Sequence, residues 1–483
     1  MQTRHNAQLR SLMFAAVTGI SICFGCSTNL SHPPSEHADQ TIHPNIILIM
    51  ADDLGYGELG SYGQIKILTP RLDEMAARGV RFNAFYSGST LCAPSRETLM
   101  RGLHSGNLRR SGNQNEPLAS GDETIAQLLR AEGYRTAMIG KWALGEIDST
   151  GRPDLQGFDH WYGFLNQNRA HAHYPDYLWR NGKKISFPEN QRSGIGVHSN
   201  QAFLDEAIDL IRLFSSEESP FFLYIPITLP HADILAPEEF VAPYRGRWTE
   251  EPYAGNFYAD QSEPMAATAG MITMIDSMVG SILDELATQG LEQNTLVIFT
   301  SDNGPVSVGG RDHLFFNATG GLRGAKRDLY EGGIRVPMIA LWEGHTPAGE
   351  VVDEPAALYE FKATLAELLN VAPARPTDGD SFLPLLLGED VTTSEAPLFW
   401  EVETAKLVGT LGEPDAWGNS YIEQAIRLGR WKLVRRSTSD LPELYDLVED
   451  RFEERNLVDT ELTVRARLID LLDAELGKAA RQN

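Results

Sequence analysis

Leu91-Cys92-Ala93-Pro94-Ser95-Arg96-Glu97-Thr98-Leu99-Met100-Arg101-Gly102 is the stretch around which the rest of the chain is arranged. Cys92 is the only cysteine after residue 26. Pro94 suits the first turn of a helix, where its missing N–H is not needed. Residues 95–103 carry good helix formers and close near Gly102. The pattern places Cys92 at or just before a helix N-terminus, where free N–H groups and the helix dipole favour an anion. That placement predicts a lowered thiol pKa. The plainer reading is a buried cysteine acting as a small hydrophobe.

Outward from this stretch the chain alternates. Residues 45–50, Asn-Ile-Ile-Leu-Ile-Met, read as a strand buried on both faces and run into Asp52-Asp53. Adjacent carboxylates at a strand end are costly unless solvated or bound to a cation. Residues 69–79 read as a capped amphipathic helix, 80–87 as a strand, 124–132 as a helix stopped by Gly133, and 134–139 as a strand leading to Lys141. Residues 157–182, rich in aromatics and including His171 and His173, have no clear period and read as loop. Those aromatics suit either sugar stacking or a satellite core under a loop. A helix over 200–214, a strand over 221–227 ahead of His231, a methionine-striped core helix over 268–289 and a strand over 295–300 ahead of Asp302-Asn303 follow. This order predicts an α/β fold, a large and mostly parallel central sheet between helices. Groups at the C-terminal ends of parallel strands converge on one sheet edge. Arg323 and Lys326 lie in the glycine-rich loop beyond.

Past residue 376 the pattern changes to short strands at 397–402, 425–428, 432–434 and 444–447, closed by a helix over 462–476. That predicts a smaller C-terminal α+β domain with an antiparallel sheet, giving a catalytic domain over 44–375 and a second over 376–483. A formal net charge of −25 over 483 residues argues against nucleic acid and anionic membrane as partners. Any anion site must be a local positive spot. Residues 1–26 read as an export signal ending in Gly25-Cys26, the pattern of a lipoprotein with lipid on Cys26, and 27–43 as a tether. Simple secretion is the alternative to the lipid anchor. Export predicts the periplasm or the outer membrane, with lipid on Cys26 as the sole membrane link.

The pattern Cys-x-Pro-Ser-Arg-x-x-Leu-x-x-Gly from Cys92 to Gly102 resembles the signature of type I sulfatases in the alkaline phosphatase superfamily. The resemblance runs from residue 44 to the C-terminus. It implies an alkaline phosphatase-like fold and hydrolysis of sulfate esters. It also implies conversion of Cys92 to Cα-formylglycine by a formylglycine-generating maturation enzyme. By the same resemblance Asp52, Asp53, Asp302 and Asn303 hold one Ca²⁺, which also meets the modified Cys92. Arg96 orients the hydrated aldehyde, and Lys141, His231 and Lys326 surround the sulfate. Asp302 is then the base for attack and His231 the acid for the leaving oxygen. Arg323, His171 and His173 complete the expected substrate contacts. Many family members read Gly-Lys-Trp-His where this chain has Gly140-Lys141-Trp142-Ala143. His171, His173, Asp52 or a water is then needed as the base for the release step. A sulfated carbohydrate is the expected substrate. A phosphodiesterase or phosphonate monoester hydrolase of the same superfamily, or a catalytically silent lipoprotein that binds sulfated glycan, are the competing readings.

Overall fold

The computed structural model describes residues 43–482 except 110, 111, 114, 115, 194, 195, 256, 390–395, 404–421 and 437–440. The signal, lipid-anchor and tether readings therefore lie outside the described residues, apart from His43.

Asn45–Ala51 is the central strand, and every residue in it is buried. It pairs in parallel with Phe221–Pro226 on one side and Thr295–Ser301 on the other. Arg135–Lys141 and then His160–Phe164 continue the parallel run beyond Phe221–Pro226. Five parallel strands thus form the middle of a ten-stranded sheet. Its outer strands are mixed. Met338–Leu341 runs antiparallel to both Thr295–Ser301 and Val80–Phe82, and Glu350–Val352 pairs with the latter. Tyr177–Arg180 and Lys183–Ser186 close the other edge antiparallel.

Alternate residues of the central strand serve two cores. Ile47 and Ile49 pack with Leu72 and Met75 of helix Pro70–Arg78, Phe203 and Leu210 of Ser199–Phe214, and Met271, Met274 and Met278 of Pro264–Gln289. Ile46, Leu48 and Met50 face Leu99 of Cys92–Arg101, Ile125 of Ile125–Ala131 and Leu365 of Phe361–Leu368. Helices cover both faces, so each middle strand must be apolar throughout.

Three expectations change. The strand expected over 80–87 is two pieces, Val80–Phe82 in the large sheet and Phe85–Tyr86 paired with Ala356–Ala357 in a separate sheet. The segment 157–182, read as loop, contributes two strands to the large sheet. Phe158, Trp161, Tyr162 and Phe164 are core residues there, each at most 3% exposed. Burial on both faces erased the alternation that marks a half-exposed strand. Thr69 precedes helix Pro70–Arg78 without capping it, because its hydroxyl accepts from the Gly60 N–H and donates to Asp73.

Leu398–Glu403, Ile422–Leu428, Trp431–Arg435 and Glu443–Asp446 form the four-stranded antiparallel sheet. One face receives Leu468 and Leu472 of helix Leu462–Gln482. The other packs Trp400, Ala425 and Val434 on Tyr86, Leu329, Tyr330 and Ile334. The described residues form one compact unit. A buried charge cluster crosses this contact. Lys432 Nζ lies 2.9 Å from both Glu331 and Glu453, and all three side chains are fully buried.

Candidate active site

Five of the parallel-strand residues singled out from sequence arrive at one edge. Asp52 and Asp53 follow Asn45–Ala51, Asp302 and Asn303 follow Thr295–Ser301, and Lys141 ends Arg135–Lys141. His231 follows Phe221–Pro226 after a short turn. Asp53 takes a left-handed conformation, φ 66°, and its N–H donates to Asp302 Oδ1 at 3.1 Å. Two strand ends are tied together by that bond. Cys92 is the first residue of helix Cys92–Arg101, after an extended Leu91.

The charges interlock. Arg96 is wholly buried and donates from Nε and Nη2 to Asp302 Oδ2 at 3.1 and 2.7 Å, and from Nη1 to the Lys141 carbonyl at 2.8 Å. Lys141 Nζ meets Asp52 Oδ2 at 2.6 Å. Lys326 Nζ donates to Asp53 Oδ1 at 2.5 Å and to Cys92 Sγ at 3.1 Å. Asn303 Nδ2 donates to the same Asp53 oxygen at 2.7 Å. The positive spot that an acidic chain needs is thus built from three cations interleaved with three carboxylates.

Burial and neighbours set the protonation states. Against the penalty of burial, Lys141 together with His231 and Arg96 holds Asp52 well below the usual carboxylate range. Burial, with Asp52 beside it, pushes Asp302 up to about 6 despite Arg96. The expected lowering of the Cys92 thiol is overturned. Burial pushes it up to about 11, and Lys141 and Lys326 offset only part of that. A helix N-terminus activates a thiol that water can reach, whereas complete desolvation of a thiolate dominates here.

Among the described residues, three buried oxygens in this cluster have no hydrogen-bond partner: Asp52 Oδ1, Asp53 Oδ2 and Asn303 Oδ1. Buried acceptors are rarely left unpaired, and each costs stability unless something meets it. Asp52, Asp53 and His231 offer donor atoms within 4.8 Å of one another, as do Asp52, Cys92 and Asp302. Carboxylate and amide oxygens are the donors that hard cations such as Ca²⁺ prefer. The residues present fit such an ion.

Above the cluster opens a cleft of about 490 Å³, counting its mouth, lined by Asp53, His171, His231, Tyr258, Lys326 and Arg327 among others. The histidines divide. His231 Nδ1 lies 2.7 Å from the Ala232 carbonyl, so it carries the proton and leaves Nε2 facing Asp53 Oδ2 at 3.5 Å. Burial pulls His231 down to about 4, against the carboxylates of Asp53 and Asp52. His171 stacks on His231 with centroids 4.3 Å apart and lines the cleft. Burial, with His231 beside it, lowers its pKa far below the usual value. His173 does not reach the cleft. Its Nε2 donates to the His231 carbonyl at 2.9 Å and its Nδ1 meets the Thr228 hydroxyl at 3.2 Å, so both nitrogens are used. Arg323 is also absent from the cluster. Its guanidinium lies 3.7 Å over the Tyr330 ring and donates to Tyr445 and the Glu453 carbonyl. It docks the C-terminal sheet.

Two parts of the site had no reading in the sequence. Arg311, buried, donates to both Glu58 oxygens at 2.7 and 2.6 Å and to the Asp53 carbonyl at 3.1 Å, fixing the turn that carries Asp53. The partners lie on separate loops far apart in the chain, so no spacing announced them. The aromatic wall of the cleft comes from Phe257, 63% exposed, and Tyr258, rather than from the residues 158–164.

The sulfatase family profile matches residues 44–371. Among curated proteins, canine N-acetylgalactosamine-6-sulfatase is 33% identical over 413 residues, covering 79% of this chain and 73% of that protein. Human arylsulfatase A is 30% identical over 496 residues, covering 90% and 89%. Among solved structures, Ps i-CgsB in complex with k-i-k-neocarrahexaose superposes with a TM-score of 0.75 at 25% identity, covering 90% of this chain and 92% of that one. A profile match of this length, two full-scale relatives and a shared fold converge with the clustered signature residues. The chain belongs to the sulfatase family, in the alkaline phosphatase superfamily, and is a sulfuric ester hydrolase.

Proposed function

We propose that the chain removes sulfate from a sulfated carbohydrate, using a formylglycine made from Cys92 by a maturation enzyme and one Ca²⁺ held by Asp52, Asp53, Asp302 and Asn303. The observation that carries this is the trio of unpartnered buried oxygens, Asp52 Oδ1, Asp53 Oδ2 and Asn303 Oδ1, gathered around the signature cysteine. The cysteine in this structure stands for the precursor, not the working nucleophile. A bound Ca²⁺ would polarise the sulfuryl oxygens as a Lewis acid. A hydrated aldehyde at residue 92 would supply one hydroxyl to attack sulfur and a second to release it.

The other residues have distinct tasks. Arg96 locks Asp302 and the strand end at Lys141 in place. Asp302, held in place by Arg96 through Oδ2, can take the proton of the attacking hydroxyl. Lys326, already on Sγ, and Lys141 supply positive charge where sulfuryl charge grows. His231 turns Nε2 towards Asp53 and the cleft, and would protonate the departing sugar oxygen from there once charged as imidazolium, the form that Asp53 and Asp52 favour. His171 takes the role left open by Ala143: it lines the cleft, is stacked in place on His231, and among the described residues its ring has no hydrogen-bond partner. His173 is withdrawn from that role because both its nitrogens are used. The carbohydrate reading rests on the cleft with its exposed Phe257, and on the sugar substrates named for the relatives. Residues 44–375 would form the catalytic domain and 376–483 the smaller one. Export with lipid on Cys26 completes the proposal, resting on the Gly25-Cys26 pattern.

Mass spectrometry of the tryptic peptide holding Cys92, from protein made beside a working maturation enzyme, tests the nucleophile. A formylglycine mass is expected; an unmodified thiol refutes it. Turnover of sulfate and phosphate esters side by side, with and without chelator, tests the ester and the ion.

A further inference from the structure

The cleft holds two polar atoms that the chemistry above does not use. Arg327 Nε and Gln167 Oε1 are both buried, both belong to cleft-lining residues, and neither has a hydrogen-bond partner among the described residues. Arg327 follows Lys326, the residue that touches Cys92 Sγ. Among the described residues no carboxylate pairs with its guanidinium, in a chain with 66 acidic and 41 basic residues. The backbone there is unusual as well. Arg327 adopts a left-handed conformation, φ 86°, and its N–H is held by the Thr90 carbonyl at 3.1 Å. An arginine in that region is strained where a glycine would not be. Retained strain beside a reaction centre points to a role for the side chain.

Resting on the reading of a sulfated carbohydrate as substrate, we propose that Arg327 and Gln167 form a substrate-reading pair at the side of the cleft. Arg327 binds a second oxyanion on the sugar, a carboxylate or a second sulfate, near the ester that is cut. Gln167 accepts a hydrogen bond from a hydroxyl or amide N–H of the same unit. The guanidinium fork matches planar carboxylate and tetrahedral sulfate alike, and such charge-assisted contacts are strong when partly buried. Asn113 and Asn168 complete the neutral polar rim. A doubly anionic sugar is therefore preferred to a singly sulfated one, despite the net negative charge of the protein.

Binding needs no formylglycine, so the full chain in its thiol form serves for calorimetric titration with Ca²⁺ present. The probes are galactose 6-sulfate, galactose 4,6-disulfate and a disaccharide joining galactose 6-sulfate to a uronic acid. Wild type should bind one of the two doubly anionic probes at least about tenfold tighter than the monosulfate. Which probe gains identifies the second anion. R327G, which relieves the backbone strain and should fold with an undiminished thermal midpoint, should bring that ratio close to one. Q167A should weaken all three probes together. Equal binding of all probes by wild type, or an unchanged ratio in R327G, overturns the pair while leaving the carbohydrate reading intact. No binding of any sulfated sugar, beside turnover of an aryl sulfate by matured enzyme, overturns both.

Discussion

Lys432→Met tests how the C-terminal sheet is held to the loop that delivers Lys326. Lys432 Nζ sits 2.9 Å from Glu331 and from Glu453 with no solvent exposure at any of the three side chains. The two acids are not equivalent. Glu331 also has Arg335 at 3.2 Å and the Tyr86 hydroxyl at 2.7 Å. Against burial, Lys432, Arg335 and Arg427 pull it down to about 2. Glu453 is pushed up to about 7 by burial, and Lys432 is the cation that opposes this. Methionine fills the same volume without charge, leaving two buried carboxylates and too few cations. Breaking a buried pair in this way costs about 3–5 kcal/mol, a large share of the ~5–15 kcal/mol that stabilises a typical domain. The sign of the pH dependence follows from Glu453. Its folded pKa already exceeds the unfolded value of 4.5, so protonation relieves the fold and ionisation penalises it. Without Lys432 that pKa rises further. The deficit of K432M should be smallest near pH ~5 and should widen as pH rises through ~7, by at most about 1.4 kcal/mol per pH unit. Urea unfolding of wild type, K432M and K432M/E453Q between pH ~5 and pH ~8 measures this. The double variant should recover part of the loss at high pH. A deficit below about 1 kcal/mol at pH ~8, or one that does not change with pH, would refute the argument.

Four further outcomes are expected. Arg96→Gln should cost about 3–5 kcal/mol in unfolding, and Asp302→Asn in the same chain should restore much of it, because the second change removes the stranded charge. Strict additivity would mean the pair does not couple. His171→Ala in matured enzyme should lower kcat by about 10²–10⁴ with a smaller change in KM. His173→Ala should instead lower the thermal midpoint, since the His231 carbonyl loses its donor and the Thr228 hydroxyl keeps only Asn200. A kcat within about twofold of wild type in H171A would place the base elsewhere. Asp276 accepts the Leu72 N–H at 2.8 Å, and burial pushes its pKa up to about 6 from 3.8. Its folded pKa exceeds the unfolded one, so the penalty for ionisation grows as pH rises from about 4 to 6 and is complete above that. D276N keeps the acceptor and removes the charge. It should be more stable than wild type at pH ~8 by up to about 3 kcal/mol and nearly equal at pH ~4. A constant difference across that range would exclude titration of Asp276 as the cause.

What could be read from the sequence was what each strand carries to its own end. An unbroken apolar run that stops at Asp52-Asp53, and another that stops at Asp302-Asn303, are local facts, and parallel pairing brings them together. The signature helix is equally local, from Pro94 to the left-handed Gly102. What could not be read was decided by partners distant in the chain. Arg323 and Lys326 share a loop, a charge and a glycine-rich setting, yet one meets Tyr445 and the other meets Cys92. Nothing near either residue distinguishes them; the tyrosine that claims Arg323 lies on a strand of the C-terminal sheet. The thiol misled for a related reason, since the helix N-terminus is visible in sequence and the surrounding desolvation is not. The same distant contacts explain why Lys326 can be precise. Arg323 is clamped before it, and Glu331 is clamped after it by Lys432, so the loop is pinned on both sides of the lysine. The C-terminal sheet contributes no residue to the charge cluster around Cys92. It acts on the site by holding the loop that does.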